Sequence, residues 1–129
     1  MPHFQIDYSA NLEEVVDMAA LCEVIRATAA QIETFPTAGI RVRATRVDFF
    51  AMADGNPKHG FLDLSIRLRA GRSEGVKNDA VGRVFAALKE FMAPAMTTHS
   101  IALSSEIRDI DAVLSHKFGN VRDHLEDSA

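Results

Sequence analysis

The chain begins with the stretch MPHFQIDY, residues 1–8, in which apolar and polar side chains alternate. Phe4, Ile6 and Tyr8 share one parity, and the polar residues between them share the other. This period of two is typical of a β-strand that buries one face. A terminus that is held in a sheet does not fray. We therefore expect the rest of the chain to be organised around an amino-terminal strand.

Pro2 stands directly behind the initiator methionine. Methionine followed by a small residue is the usual substrate for removal of the initiator, which would leave Pro2 with a free secondary amine. A reference α-amino group has a pKa of about 7.7 to 8.0, and an apolar pocket or a nearby cation lowers the pKa of an amine. Such a group can act as a general base near neutral pH. Pro2 is therefore a candidate catalytic base, although Met-Pro also starts many chains without a catalytic role.

Length and composition predict a single domain, residues 1–129. A chain of 129 residues with 47% hydrophobic content is long enough to bury a core of its own. No apolar run approaches the roughly 18 residues of a membrane span, and the start lacks the charged and apolar regions of a signal peptide. We therefore expect a soluble, cytoplasmic protein with no membrane partner.

Charge and side-chain chemistry argue against several kinds of site. The net charge is -4 and no basic run is interleaved with aromatic residues, so we do not expect nucleic acid as a partner. Cys22 is the only cysteine, which excludes disulfide scaffolds and thiolate metal sites within one chain, and its apolar surroundings predict burial. The five histidines show no spacing that indicates a metal site. An acidic protein that binds an acidic ligand must concentrate its positive charge locally.

The first helix is predicted over residues 11–34, with a break near its start. Asn11 and Glu14 have the spacing of a capping box, and Asp17 is a second candidate cap. The segment Phe35–Gly39 ends the helix, because proline cannot continue the hydrogen-bond ladder and glycine permits a turn.

The second extended stretch, residues 40–50, predicts a strand with a change of face. Ile40, Val42 and Ala44 lie on one face of this stretch, and Arg41 and Arg43 lie on the other. Val47 and Phe49 fall on the same face as Arg41 and Arg43, so the apolar face changes along the stretch. We therefore expect a bulge near residues 44–46 or two short strands. Arg41 and Arg43 are either solvated strand residues or ligands for an anion.

The second half of the chain repeats the pattern of strand, helix and strand. Residues 61–69 alternate cleanly, a helix is predicted from residue 73 or 74 to residue 92 or 93 with Pro94 at its end, and residues 98–108 read as the last long strand. Arg72 precedes Ser73 at the helix start, where free backbone amides favour anions and arginine can bind a carboxylate. Ser73 can equally be only a helix cap. An extended arm at residues 114–120 and a short helical tail at 121–126 follow.

These elements predict an α+β fold made of a tandem β-α-β repeat. The halves are residues 2–52 and 60–110, with a carboxy-terminal arm at 111–129. Each crossover helix should pair its flanking strands in parallel, giving a four-stranded mixed sheet with two helices on one face. The other face of the sheet would be apolar and uncovered. We therefore expect a closed homo-oligomer in which the arm reaches a neighbouring subunit.

Several motifs together resemble the 5-carboxymethyl-2-hydroxymuconate isomerase family of the tautomerase superfamily. The resemblance extends from Pro2 to about Asn120. The motifs are Pro2 at the start of a strand, Pro36–Arg41 followed by Arg43, Met52–Gly55, Ala70–Ser73, and Ala102–Ser104 with Glu106–Ile107. The far carboxy terminus, residues 121–129, departs from the family pattern and carries no inference.

The resemblance implies a homotrimer and an isomerisation that needs no metal and no cofactor. The implied substrate is an unsaturated dicarboxylate or tricarboxylate from the breakdown of the aromatic acid homoprotocatechuate. Carried over by position, Pro2 would be the catalytic base, and Arg41 and Arg72 would bind substrate carboxylates. Two alternatives remain: a tautomerase of another keto-enol acid such as phenylpyruvate, which needs fewer arginines, and a non-catalytic trimeric binding protein, which is favoured if Met1 stays attached.

Overall fold

Two helices pack against a four-stranded sheet in the computed structural model, which describes residues 1–126. The strands are β1 (His3–Ser9), β2 (Arg41–Val47), β3 (His59–Arg69) and β4 (Ser100–Ile110). The helices are α1 (Met18–Ala30) and α2 (Glu74–Met96). Short 3-10 turns cover Ala10–Glu14, Thr37–Gly39 and Val121–His124. The last three residues of the predicted arm, 127–129, lie outside the described residues.

The sheet is mixed, as the sequence predicts, with the strand order β2-β1-β3-β4. β1 pairs in parallel with β2, and β3 pairs in parallel with β4, while β1 and β3 pair antiparallel at the centre. One helix links the strands of each parallel pair, as a crossover connection requires. The predicted tandem of β-α-β units is confirmed, and the antiparallel centre joins the units into one sheet.

Both helices cover the same face of the sheet, which confirms the predicted arrangement. The central strands supply fully buried apolar residues to this side, namely Phe4, Ile6, Leu62, Leu64, Ile66 and Leu68. The buried residues of the helices are Leu21, Ile25 and Ala29 in α1 and Ala80, Val84, Leu88 and Met92 in α2. Full burial of one large aliphatic or aromatic side chain stabilises a fold by about 1.5 to 3 kcal/mol. This core therefore fixes β1, and with it the amino terminus.

The start of α1 corrects one predicted cap and confirms another. The carboxylate of Asp17 accepts a hydrogen bond from the amide of Ala20 at 3.0 Å, so Asp17 is the cap and the predicted break lies before it. The predicted capping box at Asn11 is wrong, because the Asn11 amide instead donates to the carbonyl oxygen of His59 at 2.9 Å. Asn11 thus holds the 3-10 turn against the start of β3.

The ends of both helices differ from the prediction. α1 ends at Ala30 instead of Thr34, because the following amides turn to 3-10 bonds, such as Ile32 to the carbonyl of Ala29 at 3.0 Å. α2 runs to Met96 and contains Pro94, which the sequence predicts as its end. A proline this close to the end removes only one helical hydrogen bond. Neither helix among the described residues is long and apolar enough to cross a membrane.

β2 runs without the predicted bulge. Its register with β1 is continuous from Arg41 opposite His3 to Val47 opposite Ser9, and the strand ends there. The apparent change of face has another cause. Arg46 at the strand end lies on the helix side, where it pairs with Glu13 at 3.4 Å, and it also pairs with Asp48 at 2.8 Å. An ion pair at the rim of the core, not an extra residue, explains the broken alternation.

The helix-free face of the sheet is polar, which corrects the predicted apolar face. Its residues alternate with the core residues, and the register aligns them in rows across the sheet. One row carries Arg41, His3, Arg67 and Arg108 side by side. The prediction failed because β2 and β3 place their apolar side chains almost entirely on the helix side. An argument for an oligomer therefore cannot rest on this face.

The arm after β4 is the most exposed described segment. Every residue from 111 to 126 is exposed, and the predicted extended arm at 114–120 is irregular. The predicted helical tail at 121–126 is shortened to the 3-10 turn Val121–His124. Val113 and Leu114 are each 80% exposed, and the Phe118 side chain is fully exposed. The arm thus presents apolar side chains that the single chain does not cover.

Candidate active site

The topology gathers distant segments at one edge of the sheet. β1 and β2 begin at this edge, whereas β3 and β4 end there because the central pair is antiparallel. The register places His3 opposite Arg41 on one side and Arg67 on the other. Met1 precedes β1 at this edge, and the arm leaves β4 after Ile110. Strand direction therefore brings the amino terminus close to the start of the carboxy-terminal arm.

A cavity of about 680 Å³ lies at this edge, between the amino terminus and the arm. We refer to it as the cationic cavity, because four basic side chains line it: Arg41, Arg67, Arg69 and Lys117. Among the described residues, no carboxylate lines it. Met1, Arg41, Lys117 and Phe118 also line a second cavity of about 400 Å³, so the two adjoin. The positive charge of this acidic protein is thus concentrated in the cationic cavity, which favours an anionic ligand.

The amino group of the chain lies among these cations. Burial lowers the pKa of the Met1 amine below its ordinary value of 8.0, and nearby positive charges lower it further. These charges are, from the largest effect to the smallest, those of Lys117, Arg72, Arg41 and Arg69. Both causes disfavour the protonated amine. An amine at this position is therefore suited to accept a proton near neutral pH.

His3 is a neutral imidazole in the wall of the cationic cavity. Burial lowers its pKa to about 4, and the guanidinium groups of Arg67, Arg41 and Arg43 contribute in the same direction. The Nη1 atom of Arg43 lies 3.2 Å from the Nδ1 atom of His3. At neutral pH the imidazole therefore adds hydrogen-bonding groups to the site but no charge.

Comparison with known proteins places the chain in a family. The family model described as 5-carboxymethyl-2-hydroxymuconate isomerase matches residues 2–125. The chain belongs to this family. The match covers nearly the whole chain, including every residue that lines the cationic cavity except Met1. Membership confirms the resemblance seen in the sequence and identifies the chain as an enzyme of the isomerase class.

Individual relatives support the assignment to the 5-carboxymethyl-2-hydroxymuconate isomerase family. The 5-carboxymethyl-2-hydroxymuconate Delta-isomerase of Escherichia coli is 35% identical over 121 residues, which are 94% of this chain and 96% of that protein. A crystal structure of a 5-carboxymethyl-2-hydroxymuconate delta-isomerase is similar with a TM-score of 0.90 and 30% identity, covering 100% of this chain and 95% of that one. The isomerase from Deinococcus radiodurans R1 has a TM-score of 0.87 and 31% identity, with 95% and 92% coverage.

Two of the three site residues predicted from the sequence adjoin in this isomerase. Pro2 is buried at the start of β1, and its carbonyl oxygen accepts a hydrogen bond from the Arg41 amide at 3.3 Å. The Arg41 side chain is exposed and lines both cavities. With Met1 attached, the ring nitrogen of Pro2 is an amide nitrogen without basicity, and the α-amino group at the site belongs to Met1.

Arg72, the third predicted residue, lies beside the cationic cavity without lining it. Gly71 makes the sharp turn after β3 with a positive φ of 127°, and Arg72 follows it half-buried. The Nη1 atom of Arg72 donates to the carbonyl oxygen of Arg69 at 3.2 Å. The Ser73 hydroxyl accepts a hydrogen bond from the Val76 amide at 3.2 Å, so Ser73 caps α2 as the sequence allowed. Arg72 acts on the amino terminus through its charge.

Other residues of the cavity wall were not predicted as site residues, among them His3, Arg67, Arg69 and Lys117. The two arginines of β3 look like ordinary polar positions of an amphipathic strand. Only the antiparallel pairing of β1 with β3 shows that they end beside the amino terminus. An antiparallel pairing of the first strands of the two repeats, if assumed from the sequence, would have placed both arginines beside the amino terminus. No local pattern marks Lys117 in the irregular arm.

Proposed function

We propose that this isomerase converts 5-carboxymethyl-2-hydroxymuconate to its 2-oxo-3-ene isomer in the catabolism of aromatic compounds in the cytoplasm. The observation that carries the proposal is the cationic cavity built around the amino terminus. The substrate has three carboxylates, two from the muconate chain and one from its substituent. A cavity lined by arginines and a lysine, with no carboxylate among its described residues, matches that charge.

Pro2 is the catalytic base in this proposal. Removal of Met1 exposes the ring nitrogen of Pro2 as a secondary amine, next to the position that the Met1 amine occupies here. The same burial and the same cations that lower the pKa of the Met1 amine would then act on the Pro2 amine. Removal of Met1 also clears a residue that lines both cavities, which makes room for the substrate.

Arg41 and Arg72 bind substrate carboxylates. Arginine presents parallel N–H groups that match both oxygens of a carboxylate, which fixes orientation as well as supplying charge. Arg41 already faces the cavity, and Arg72 reaches it by releasing the carbonyl oxygen of Arg69. The remaining cations of the wall, including Lys117 on the arm, balance the third carboxylate.

Proton transfer needs only one base in this arrangement. The amine of Pro2 takes the proton of the 2-hydroxyl group, C2–O becomes a carbonyl, and the two C=C bonds shift to leave one between C3 and C4. The protonated amine then returns the proton to C5. Negative charge spreads over the 2-oxygen and the chain during the transfer, and the surrounding cations stabilise it. No metal and no cofactor take part.

A tautomerase of phenylpyruvate is the alternative enzyme. Its substrate carries one carboxylate, so four cations in the cavity wall exceed what it needs. Parallel assays of both acids distinguish the two. A higher kcat/KM for phenylpyruvate than for the tricarboxylate would reject the proposed substrate.

The terminus itself provides the main test, and it also separates an enzyme from a non-catalytic binding protein. We expect the intact mass of protein from its native host to show a chain that begins at Pro2, and this protein to isomerise the substrate. Pro2→Ala keeps a primary amine and should slow turnover without abolishing it. Retention of Met1 or acetylation of Pro2 should remove nearly all activity. Full activity in a chain shown to begin at Met1 would reject Pro2 as the base.

We also propose a homotrimer. The support lies in the arm, where Val113 and Leu114 are 80% exposed and Phe118 is fully exposed, since apolar patches left uncovered by one chain are typical of interfaces. Sedimentation of dilute protein should give about three times the mass of one chain. Leu114→Asp should shift the protein towards monomers, whereas Val15→Asp, near α1, should not. A folded wild-type monomer at low micromolar concentration would contradict the trimer.

A further inference from the structure

His3 has a hydrogen-bonding pattern that fixes which nitrogen carries its proton. The Nη1 atom of Arg43 lies 3.2 Å from Nδ1 of His3. A guanidinium group can only donate hydrogen bonds, and it stays protonated in proteins. Nδ1 is therefore the acceptor, so the neutral ring must carry its hydrogen on Nε2.

Neighbouring side chains hold Arg43 in the position that this tautomer requires. Its Nε atom donates to Oε1 of Gln5 at 2.5 Å. The amide nitrogen of Gln5 in turn donates to the Asp7 carboxylate at 3.1 Å and to the Thr45 hydroxyl at 3.0 Å. These contacts connect β1 and β2 on the polar face, and they leave the guanidinium free to donate to His3.

The Nε2–H group of His3 is left for a ligand. His3 lines the cationic cavity, and among residues 1–126 its Nε2 atom has no hydrogen-bond partner. The charged groups that face the ring are Arg41 and Arg43 from β2, Arg67 from β3 and the amino terminus of β1. The three guanidinium groups are cations, and the amino terminus is a cation when protonated, so all four oppose protonation of the ring. The arm adds Lys117 to the same cavity, which also carries a positive charge.

We propose that His3 is a catalytic hydrogen-bond donor, whose Nε2–H group binds the 2-oxygen of the substrate as that oxygen changes from hydroxyl to carbonyl, and that Arg43 positions it. This role rests on the proposed isomerisation. A neutral donor stabilises the developing charge on the oxygen without competing with the Pro2 amine for the transferred proton. The cation at Nδ1 polarises the ring, which strengthens donation from Nε2.

Direct spectroscopy of the wild-type chain tests the tautomer without relying on activity. Long-range proton–nitrogen NMR of histidine rings distinguishes a hydrogen on Nε2 from one on Nδ1 and from a doubly protonated ring. We expect His3 to be neutral with its hydrogen on Nε2 across the pH range of activity. A charged ring, or a hydrogen on Nδ1, at neutral pH would overturn the proposal whatever the kinetics show.

Kinetics of three His3 variants test the donor role. His3→Phe keeps an aromatic ring without N–H groups and should lower kcat by about 100- to 1,000-fold with a smaller change in KM. His3→Gln places an amide N–H near the position of Nε2 and should recover much of this loss. His99→Phe, at the exposed turn before β4, is the matched control and should behave like the wild type. Equal kcat in the wild type and His3→Phe would overturn the donor role.

A double-mutant cycle tests the positioning role of Arg43. Arg43→Met should lower kcat and should remove the preference for a hydrogen on Nε2 in the NMR spectrum, while burial, Arg67 and Arg41 still hold the pKa of His3 below its ordinary value. Arg43→Lys keeps a cationic donor and should retain the hydrogen on Nε2. In His3→Phe, the further change Arg43→Met should cost little, because Arg43 acts through the ring. Fully additive losses would reject that role.

The outcomes separate this inference from the proposed function. A wild-type chain that begins at Pro2 but isomerises neither substrate refutes the proposed function, and the donor role of His3 fails with it. An active wild type together with an unimpaired His3→Phe variant refutes only the role of His3.

Discussion

His3 lies directly opposite Arg67 where β1 and β3 pair antiparallel. Burial and this guanidinium are the two largest causes that lower the pKa of His3 to about 4 from its ordinary 6.5. The pairing exists only in the folded chain. Between these two pKa values, the unfolded chain binds a proton at His3 that the folded chain does not bind. The free energy of unfolding therefore depends on pH through His3.

We predict that the low pKa of His3 decreases the free energy of unfolding at acidic pH. Above a pH of about 6.5 the His3 ring is neutral in both the folded and the unfolded chain, so no stability is lost. As the pH falls from about 6.5 towards about 4, only the unfolded chain binds the proton, and the free energy of unfolding declines. His3→Gln should lose less stability than the wild type over this interval, measured by urea unfolding. Carboxylates titrate in both proteins, so their effect cancels in the difference. Parallel curves for the two proteins would contradict the prediction.

Loss of the Arg41 side chain should weaken substrate binding far more than folding. Arg41→Ala removes a charge-assisted contact worth about 1.5 to 3 kcal/mol, which corresponds to roughly a 10- to 150-fold rise in KM. The melting temperature should stay near that of the wild type, because the side chain is exposed. Arg26→Ala on α1, whose guanidinium pairs with Glu23, is the matched control. Unchanged kinetics in both Arg41→Ala and Arg72→Ala would remove these residues from the site.

Lys117 should set the acid limit of the activity. After burial, its charge is the largest cause that lowers the pKa of the terminal amine. Only the neutral amine can accept a proton, so activity falls as the pH drops through this pKa. Lys117→Gln removes a cation, raises the pKa of the amine, and should move the acid limb of the kcat/KM profile to higher pH. Lys89→Gln on α2 should leave the limb in place, and an unmoved limb in Lys117→Gln would show that the arm lies elsewhere in solution.

Local patterns in the sequence were sufficient to predict the fold, because each strand and helix is amphipathic and its apolar residues mark its buried face. The alternation of Phe4 and Ile6 and of the leucines in β3 predicts strands with one buried face, and those residues are fully buried. The failures lie where a polar side chain acts at long range. Asn11 was predicted to cap a helix, but its side chain binds the carbonyl of His59. The change of face near Arg46 was interpreted as a bulge, but Arg46 lies on the helix side and pairs with Glu13. The partners His59 and Glu13 lie 48 and 33 residues away in the sequence, beyond a local window.

The candidate site was predictable in part for the same reason. Pro2 and Arg41 were named from the sequence, and the structure brings them into contact through one backbone hydrogen bond. Arg67 and Lys117 depend on strand direction and on the path of the arm, which follow from the pairing of whole strands. Amphipathic alternation states that a side chain faces away from the core, but not which other chain segment it meets.

Gly39 should be required for the position of Pro2. A Cβ atom on Gly39 would lie 3.0 Å from Cδ of Pro2 and 3.1 Å from Cα of Met1, both closer than side chains normally pack. If Met1 is removed, Cδ of Pro2 is the close atom that remains. Cδ is bonded directly to the ring nitrogen, so any displacement of the ring moves the nitrogen itself.

Gly39→Ala should therefore impair catalysis more than stability. A shift of a few tenths of an ångström in the base should lower kcat by roughly tenfold, since catalysis is sensitive to small misplacements, while urea unfolding changes little because Gly39 lies outside the core. Gly82→Ala in α2 is the matched control: nothing lies within 4 Å of its Cβ, and it should stabilise the helix by about 0.5 to 1 kcal/mol with unchanged kcat. Wild-type kcat in a folded Gly39→Ala variant would mean that the position of the Pro2 ring does not limit turnover, and the case for Pro2 as the base would weaken accordingly.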